Sequence, residues 1–423
     1  MKEKEPTKES IDAACSYRSM LEYGTHDGLR EEIECAPERL HLEGAYPLAR
    51  AARMRDLEAV KILVEAGAPL DACGTERYEL MSARNEREEF DCPLVECLNQ
   101  RYDEGRPDNE DEVFSYLLQA GANPNLALND VAKRHDIPKL HALIEAGADI
   151  KTYGGEALGV SLDWNYNGYG CLPEERGQAL EVISTLLKHG ADCHENDDAA
   201  LVMAAENGFD EAAKVLLQAG ADPNAHQGHL LINAVHTKNL DSVELFIQHG
   251  AQVNREKNNP LIEAARSNGQ EMAELLIKHG AQVDGHEGEP LTMAIKNDNV
   301  DYAEALLKHG AQVNREKVNP LTVAAHSSVC EMAELLIKYG ADVNGNNGEP
   351  LLMAGKRGNY DVAEVLMNHG AEPTLEIAEW STGKAKDLIR ARYEQDLLRR
   401  HLPQASSDPT QTPSIQPSRK QRL

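Results

Sequence analysis

Five histidines, His189, His249, His279, His309 and His369, each stand directly before a glycine, at spacings of 30 residues or twice that. So many imidazoles in register invite a metal reading. Ligands must converge on a single ion, however, and these lie a full spacing apart. They read as a consensus that packs and caps a helix, and no metal site is expected. Cys97 and His135 are the pair that could supply a nucleophile and a base within residues 1–180. Both fall in segments with helical apolar spacing, and such pairs arise often by chance. The eight cysteines are scattered and form no C-x-x-C, and the separation of Cys92 from Cys97 suits neither a zinc knuckle nor a redox motif. The chain has no G-x-S-x-G, no phosphate-binding G-x-x-x-x-G-K-[ST], no H-E-x-x-H and no kinase signature. A protein without catalysis and without a cofactor is expected.

Recognition is the chemistry that remains. The formal net charge of −28 argues against nucleic acid, whose phosphates need a cationic footprint. The charge is uneven, because residues 384–423 are net basic. Tyr153, Trp164, Tyr166 and Tyr169 crowd together in a chain that is only 4% aromatic. Tyr and Trp are enriched at interface hot spots, so these four are candidates for partner binding. The alternative is that they pack their own segment onto its neighbours. The polar opening MKEKEPTKES does not read as a secretory signal, and no apolar run approaches a membrane span. A cytoplasmic protein without a membrane span is expected, its cysteines single thiols in a reducing compartment.

The elements that would position these residues repeat. Gly-Ala followed by Asp, Gln or Glu recurs at Gly190, Gly220, Gly250, Gly280, Gly310, Gly340 and Gly370, in steps of 30 residues. Pro260, Pro290, Pro320 and Pro350 fit a helix start, where a missing N–H costs nothing. Leu261, Ala264 and Ala265 then form an apolar stripe with small side chains. A second helix follows, with Met272, Ala273, Leu275, Leu276 and Ile277 as its expected buried face, and Gly280 ends it in a left-handed conformation. A polar turn leads to the next unit. One unit alone cannot bury its apolar faces, but a stack can. The turns alternate, REKNN and REKVN (255–259, 315–319) against GHEGE and GNNGE (285–289, 345–349), so the duplicated unit is a 60-residue pair. Recent duplication is the simplest reading of that alternation.

The frame P-L-x-x-A-A, then a helix ending L-L-x-x-G-A-[DQ]-V-[ND], resembles the ankyrin repeat. It departs from the family in its N-P-L or E-P-L opening in place of T-P-L-H. It also departs in its length, 30 residues against the family's usual 33 or so. The missing residues fall between Asn254 and Pro260, where the family carries its finger, so short fingers are expected there. The resemblance implies an all-α helix-turn-helix solenoid of about ten repeats plus caps. Its expected parts are an N-terminal helical cap (1–45), irregular repeats with insertions (46–190), regular 30-residue repeats (191–373), a C-terminal helical cap (374–401) and a disordered tail (402–423). In the irregular part, Pro47, Leu48, Ala51 and Ala52 open one repeat and Pro93 and Leu94 another. A long finger at about 73–91 and inserts at 101–112 and 165–177 account for the uneven spacing.

The resemblance also implies that a partner protein is gripped on the concave face by the finger tips and the ends of the first helices. Those ends map onto Glu206, Asn207, His236, Thr237, Arg266, Ser267, Lys296, Asn297, His326, Ser327, Lys356 and Arg357. From His236 onward this ridge is cationic, which suits an acidic partner surface. A solvated face matched to the helix dipoles is the alternative. A monomeric, non-enzymatic scaffold is the first functional reading. A bacterial effector exported into a host-cell cytosol by its polar tail, PSRKQRL, is the second. An enzyme concealed in the irregular half is the third.

Overall fold

The computed structural model describes residues 8–41, 46–79, 85–99, 109–163, 173–255, 257, 259–266, 269–315, 317–327 and 329–401. They form two compact units, 1–252 and 253–423. The expected tail at 402–423, on which the export reading rests, lies outside the described residues, as do Trp164, Tyr166, Tyr169 and Ser267.

Within the first unit, helices Lys8–Tyr23 and His26–Cys35 precede six helix pairs. These are Pro47–Arg53 with Leu57–Glu65, Pro93–Glu96 with Glu110–Gln119, Leu128–Lys133 with Ile137–Glu145, Ile150–Val160 with Pro173–Lys188, Glu195–Glu206 with Asp210–Gln218, and Ala225–His236 with Leu240–Gln248. The second unit holds four pairs: Pro260–Arg266 with Gln270–Lys278, Gly285–Lys296 with Val300–Lys308, Pro320–Ala324 with Cys330–Lys338, and Gly345–Arg357 with Tyr360–Asn368. Helices Leu375–Trp380 and Gly383–His401 follow them. Each unit is a segment of an all-α ankyrin-type solenoid. The one exception to all-α among the described residues is an antiparallel hairpin, Gly74–Glu79 with Asn85–Phe90, which pairs Gly74 with Phe90.

Each helix pair obeys the physics of its sequence frame. Leu261, Ala264 and Ala265 of the first helix and Met272, Ala273 and Leu276 of the second are buried, and a Leu so enclosed contributes roughly 1.5–3 kcal/mol. Leu275 and Ile277, expected in the same face, are only partly buried. The enclosed line runs along 272, 273 and 276, and these two flank it. Every repeat glycine from Gly67 to Gly370 has φ between +87° and +108°. That is the left-handed close of a helix, where a Cβ would cost about 1–2 kcal/mol. In the second helices Glu271, Asp301, Glu331 and Asp361 occupy the first turn, and Lys278, Lys308 and Lys338 the last, matched to the dipole.

Two features lie beyond the sequence frame. The segment expected to end the aromatic insert (165–177) is helical from Pro173 onward, so part of that insert lengthens the second helix of its pair. The alternating turns also differ in backbone. Asn259 and Asn319 cap their helices, each side chain accepting from the two N–H groups that follow the proline, Leu261 and Ile262 or Leu321 and Thr322. The other turns instead run through three consecutive left-handed residues, 286–288 and 346–348, before helix resumes ahead of Pro290 and Pro350. The triplets 196–198 and 226–228 do the same in the first unit. Gly288 is also where Arg315 of the following turn lies: a Cβ there would fall 1.7 Å from the guanidinium. The 60-residue alternation therefore has a physical content beyond duplication.

Candidate protein-binding ridge

One register of the polar turns, asparagine except at Asp284, ties repeats together from Asn224 onward. Asn254 Oδ1 accepts from Gln282 N at 2.8 Å while its Nδ2 donates to Gly280 O at 2.8 Å. Asn314 does the same with Asp342 N and Gly340 O, and Asn344 with Glu372 N and Gly370 O. In the first unit Asn224 bonds Gln252 N and Gly250 O. Asp284 keeps the acceptor role alone, taking Gln312 N. This ladder holds the turns at a constant spacing, and with them the ends of the first helices.

Along the second unit those ends present Arg266, Lys296, His326, Lys356 and Arg357, all exposed. Their environments differ. Arg266 is held by Glu263 of its own helix at 2.9 Å. Arg357 Nη2 lies 3.2 Å from His326 Nδ1. The Lys356 ammonium sits 5.2 Å from the ring centre of Trp380, which is itself 61% exposed. Lys296 is exposed with no ion pair among the described residues, and Asn297 Nδ2 reaches back to Ala265 O at 3.3 Å. The ridge is not uniformly cationic: exposed Asp298 stands beside Lys296 and accepts from Ser327 Oγ at 2.5 Å. The sequence reading overlooked Trp380, because its helix was taken as a cap. Trp380 follows the last repeat, outside the 30-residue register that would have flagged it.

The turns of the same unit add a groove of about 530 Å³, lined by His286, Glu287, Thr292, Arg315, Lys317 and Val318 among others. Its cations are matched, whereas Glu289 in its lining has no ion pair among the described residues. Arg315 pairs with Asp284, and Lys317 Nζ lies 2.5 Å from Glu287, whose carboxyl is held below its ordinary range by that hydrogen bond and charge. What the groove leaves open is Val318, 43% exposed. That open valine can take an apolar side chain.

The first unit treats its cations differently. His236 ends Ala225–His236 and is exposed, and Thr237 Oγ1 donates to Asn233 O of the same helix at 2.9 Å. Asn207 Nδ2 donates to Leu162 O at 2.8 Å. Farther back, Arg53 pairs with Glu96, which is 1% exposed, and Arg55 pairs with Glu110. Lys139 meets Glu110, Asp111 and Asp136 at 2.6–3.1 Å. Burial pulls the Lys139 ammonium down, but hydrogen bonds to Asp111, Asp136 and Glu110 more than reverse this and hold it above the ordinary lysine range. These groups neutralise one another. Tyr153 of the aromatic group is 47% exposed.

Cys97 and His135 are each bonded elsewhere. His135 Nε2 is 2.7 Å from Ser161 O, and the Cys97 thiol donates to Leu94 O at 3.1 Å. Burial, then the Glu110 charge, pushes Cys97 far up, and burial pushes Cys92 up to about 11. A thiol held protonated is a poor nucleophile. Of the glycine-preceding histidines, His249 and His369 each place Nδ1 2.9 Å from a carbonyl one turn back, whereas His279 Nε2 is buried without a partner among the described residues.

Family models match the repeat frame over part of the chain. The family model described as ankyrin repeats (3 copies) matches residues 230–317, 282–347 and 314–377, and the single ankyrin-repeat model matches 196–227. The crystal structure of the human ASB11 ankyrin repeat domain is similar at 23% identity, covering 58% of this chain and 99% of that one, with a TM-score of 0.37. No curated protein matches the chain. Residues 196–227 and 230–377 match ankyrin repeats, and such repeats are general modules for protein–protein interaction. No described helix is long and apolar enough to cross a membrane.

Proposed function

We propose that this protein is a non-enzymatic scaffold whose second unit grips an acidic surface of a partner protein along the ends of its first helices. The observation that carries this reading is the row of exposed cations at repeat spacing, Arg266, Lys296 and Lys356, in a chain of net charge −28. Lys296 has no ion pair among the described residues, and the row ends beside the exposed Trp380, with Arg357 and His326 adjacent. A helix dipole explains a Lys in a last turn, but it does not explain an indole left 61% exposed next to it. Trp and Arg are the residue types most enriched at hot spots.

The test is affinity capture from a cell extract with the full chain and with the full-chain variant Arg266→Glu, Lys296→Glu, Lys356→Glu. A partner captured by the parent and lost by the variant, with unchanged circular dichroism, is the expected result. Capture of the same partner at the same salt resistance by both chains would place the binding site elsewhere.

A further inference from the structure

We infer that Cys193, His194 and Asp198 form a divalent-metal site of the zinc type at the turn before helix Glu195–Glu206. Among the described residues this is the one place where three His, Cys, Asp or Glu side chains offer ligand atoms within 4.8 Å of one another. Cys193 is 7% and Asp198 4% exposed, whereas the His194 side chain is 56% exposed. A thiolate, an imidazole and a carboxylate suit zinc, which takes three protein ligands and a fourth from water or another molecule. Tetrahedral ligands at about 2.0–2.3 Å from the ion stand roughly 3.3–3.8 Å apart. The His194 Nδ1 to Asp198 Oδ1 distance of 3.1 Å is already close to that.

The repeats themselves show that the three residues are a joint departure. The register of Cys193 holds Pro223 and Pro373, and Val253, Val283, Val313 and Val343 between them. That of His194 holds the ladder residues Asn224, Asn254, Asp284, Asn314 and Asn344. That of Asp198 holds Gly228, Gly288 and Gly348 in the turns of the same left-handed kind, and Asn258 and Val318 in the others. Asp198 sits at φ +58°, a left-handed position that the other triplets give to glycine at +74° to +78°. The left-handed run of Asn196, Asp197 and Asp198 folds the chain back so that Asp198 N approaches His194 O at 3.4 Å and its carboxylate reaches the imidazole. Cys193 Sγ points toward Ala219 O at 3.8 Å. Binding a divalent cation through the Cys193 sulfur would release the thiol proton to solvent.

Asp198 also accepts from Asp222 N at 3.0 Å, the N–H that a ladder asparagine would have taken. A rival account follows: the carboxylate merely repairs the ladder where His194 interrupts it. That account explains Asp198 but gives no role to Cys193 or to an imidazole.

The experiment is a cobalt(II) titration of the full reduced chain, followed by zinc displacement. The expected result is a saturable one-to-one thiolate-to-cobalt charge-transfer band with the visible bands of four-coordination, both removed by zinc. Two variants return the site to the chain's own repeat frame: Cys193→Val, and the double variant His194→Asn with Asp198→Gly, which restores a ladder residue and a residue at ease in the left-handed position. Both should lose the band while keeping the circular dichroism, and Cys330→Ser should keep the band. Absence of a one-to-one band in the parent overturns the site and leaves the ladder repair. A band that survives Cys193→Val overturns it as well.

Discussion

Two tyrosines are fully enclosed, and their hydroxyls meet opposite fates. Tyr302 donates to Leu261 O across the repeat boundary, whereas the Tyr17 hydroxyl is buried without a hydrogen-bond partner among the described residues. Removing a satisfied hydroxyl from a core costs about 1 kcal/mol, and removing an orphaned one costs nothing or stabilises. Tyr302→Phe is therefore expected to lower the urea midpoint and Tyr17→Phe to leave it unchanged or raise it. The same burial, with the Glu32 charge second, pushes Tyr17 up to about 12 from 10.0. The folded state thus holds this proton more tightly than the unfolded chain does. Its contribution is fully present below pH 10 and drains away as pH rises toward about 12. Over that window Tyr17→Phe should lose less stability than the parent in urea melts run at increasing pH.

At the scale of the element, the asparagine ladder and the left-handed turns set the spacing of everything the ridge displays. Asn314→Ala removes two bonds between neighbouring repeats and should cost about 1–3 kcal/mol in equilibrium unfolding. Asn314→Asp keeps the acceptor, as Asp284 does naturally, and should cost less. Gly280→Ala meets open space and carries only the left-handed penalty of about 1–2 kcal/mol. Gly288→Ala carries a similar strain and also displaces the Arg315 guanidinium, so it should be the more damaging of the two. Much of this level was legible in the residues: the period, the prolines at helix starts, the closing glycines and the dipole-matched charges all follow from one repeat read many times. The ladder was in view at a constant register yet read only as a polar turn, because its partners lie in the following repeat and no single repeat contains them. Pro173 with Glu174 and Glu175 is a sound helix start, but the Gly- and aromatic-rich residues before it drew the whole stretch into an insert. The metal cluster escaped for the opposite reason. A search along the glycine-preceding histidines follows what recurs, and Cys193, His194 and Asp198 are legible only as what does not.

For the whole molecule, the charge of −28 is the dominant global quantity. Such self-repulsion opposes the compact state and is screened once the Debye length falls to about 8 Å at physiological salt. The thermal midpoint should therefore rise as sodium chloride is added from low ionic strength. Capture of an acidic partner by Arg266, Lys296 and Lys356 should weaken over the same range. Opposite slopes in the two titrations would separate the ridge's role from the chain's stability, and parallel slopes would count against the ridge.

The reach of each ladder asparagine is one repeat forward and no farther, which makes the second unit editable. Excising residues 255–314 joins Asn254 to Arg315, and the side chain that met Gln282 N and Gly280 O would meet Asp342 N and Gly340 O instead, with the same donor and acceptor at the same register. The splice leaves no bond unmatched in the ladder and removes one complete alternation of turns. A gene built this way can gain or lose length by unequal crossing-over between its own copies and still encode a foldable chain, so close relatives of different repeat number are to be expected, with the ridge shortened or extended by whole cationic steps.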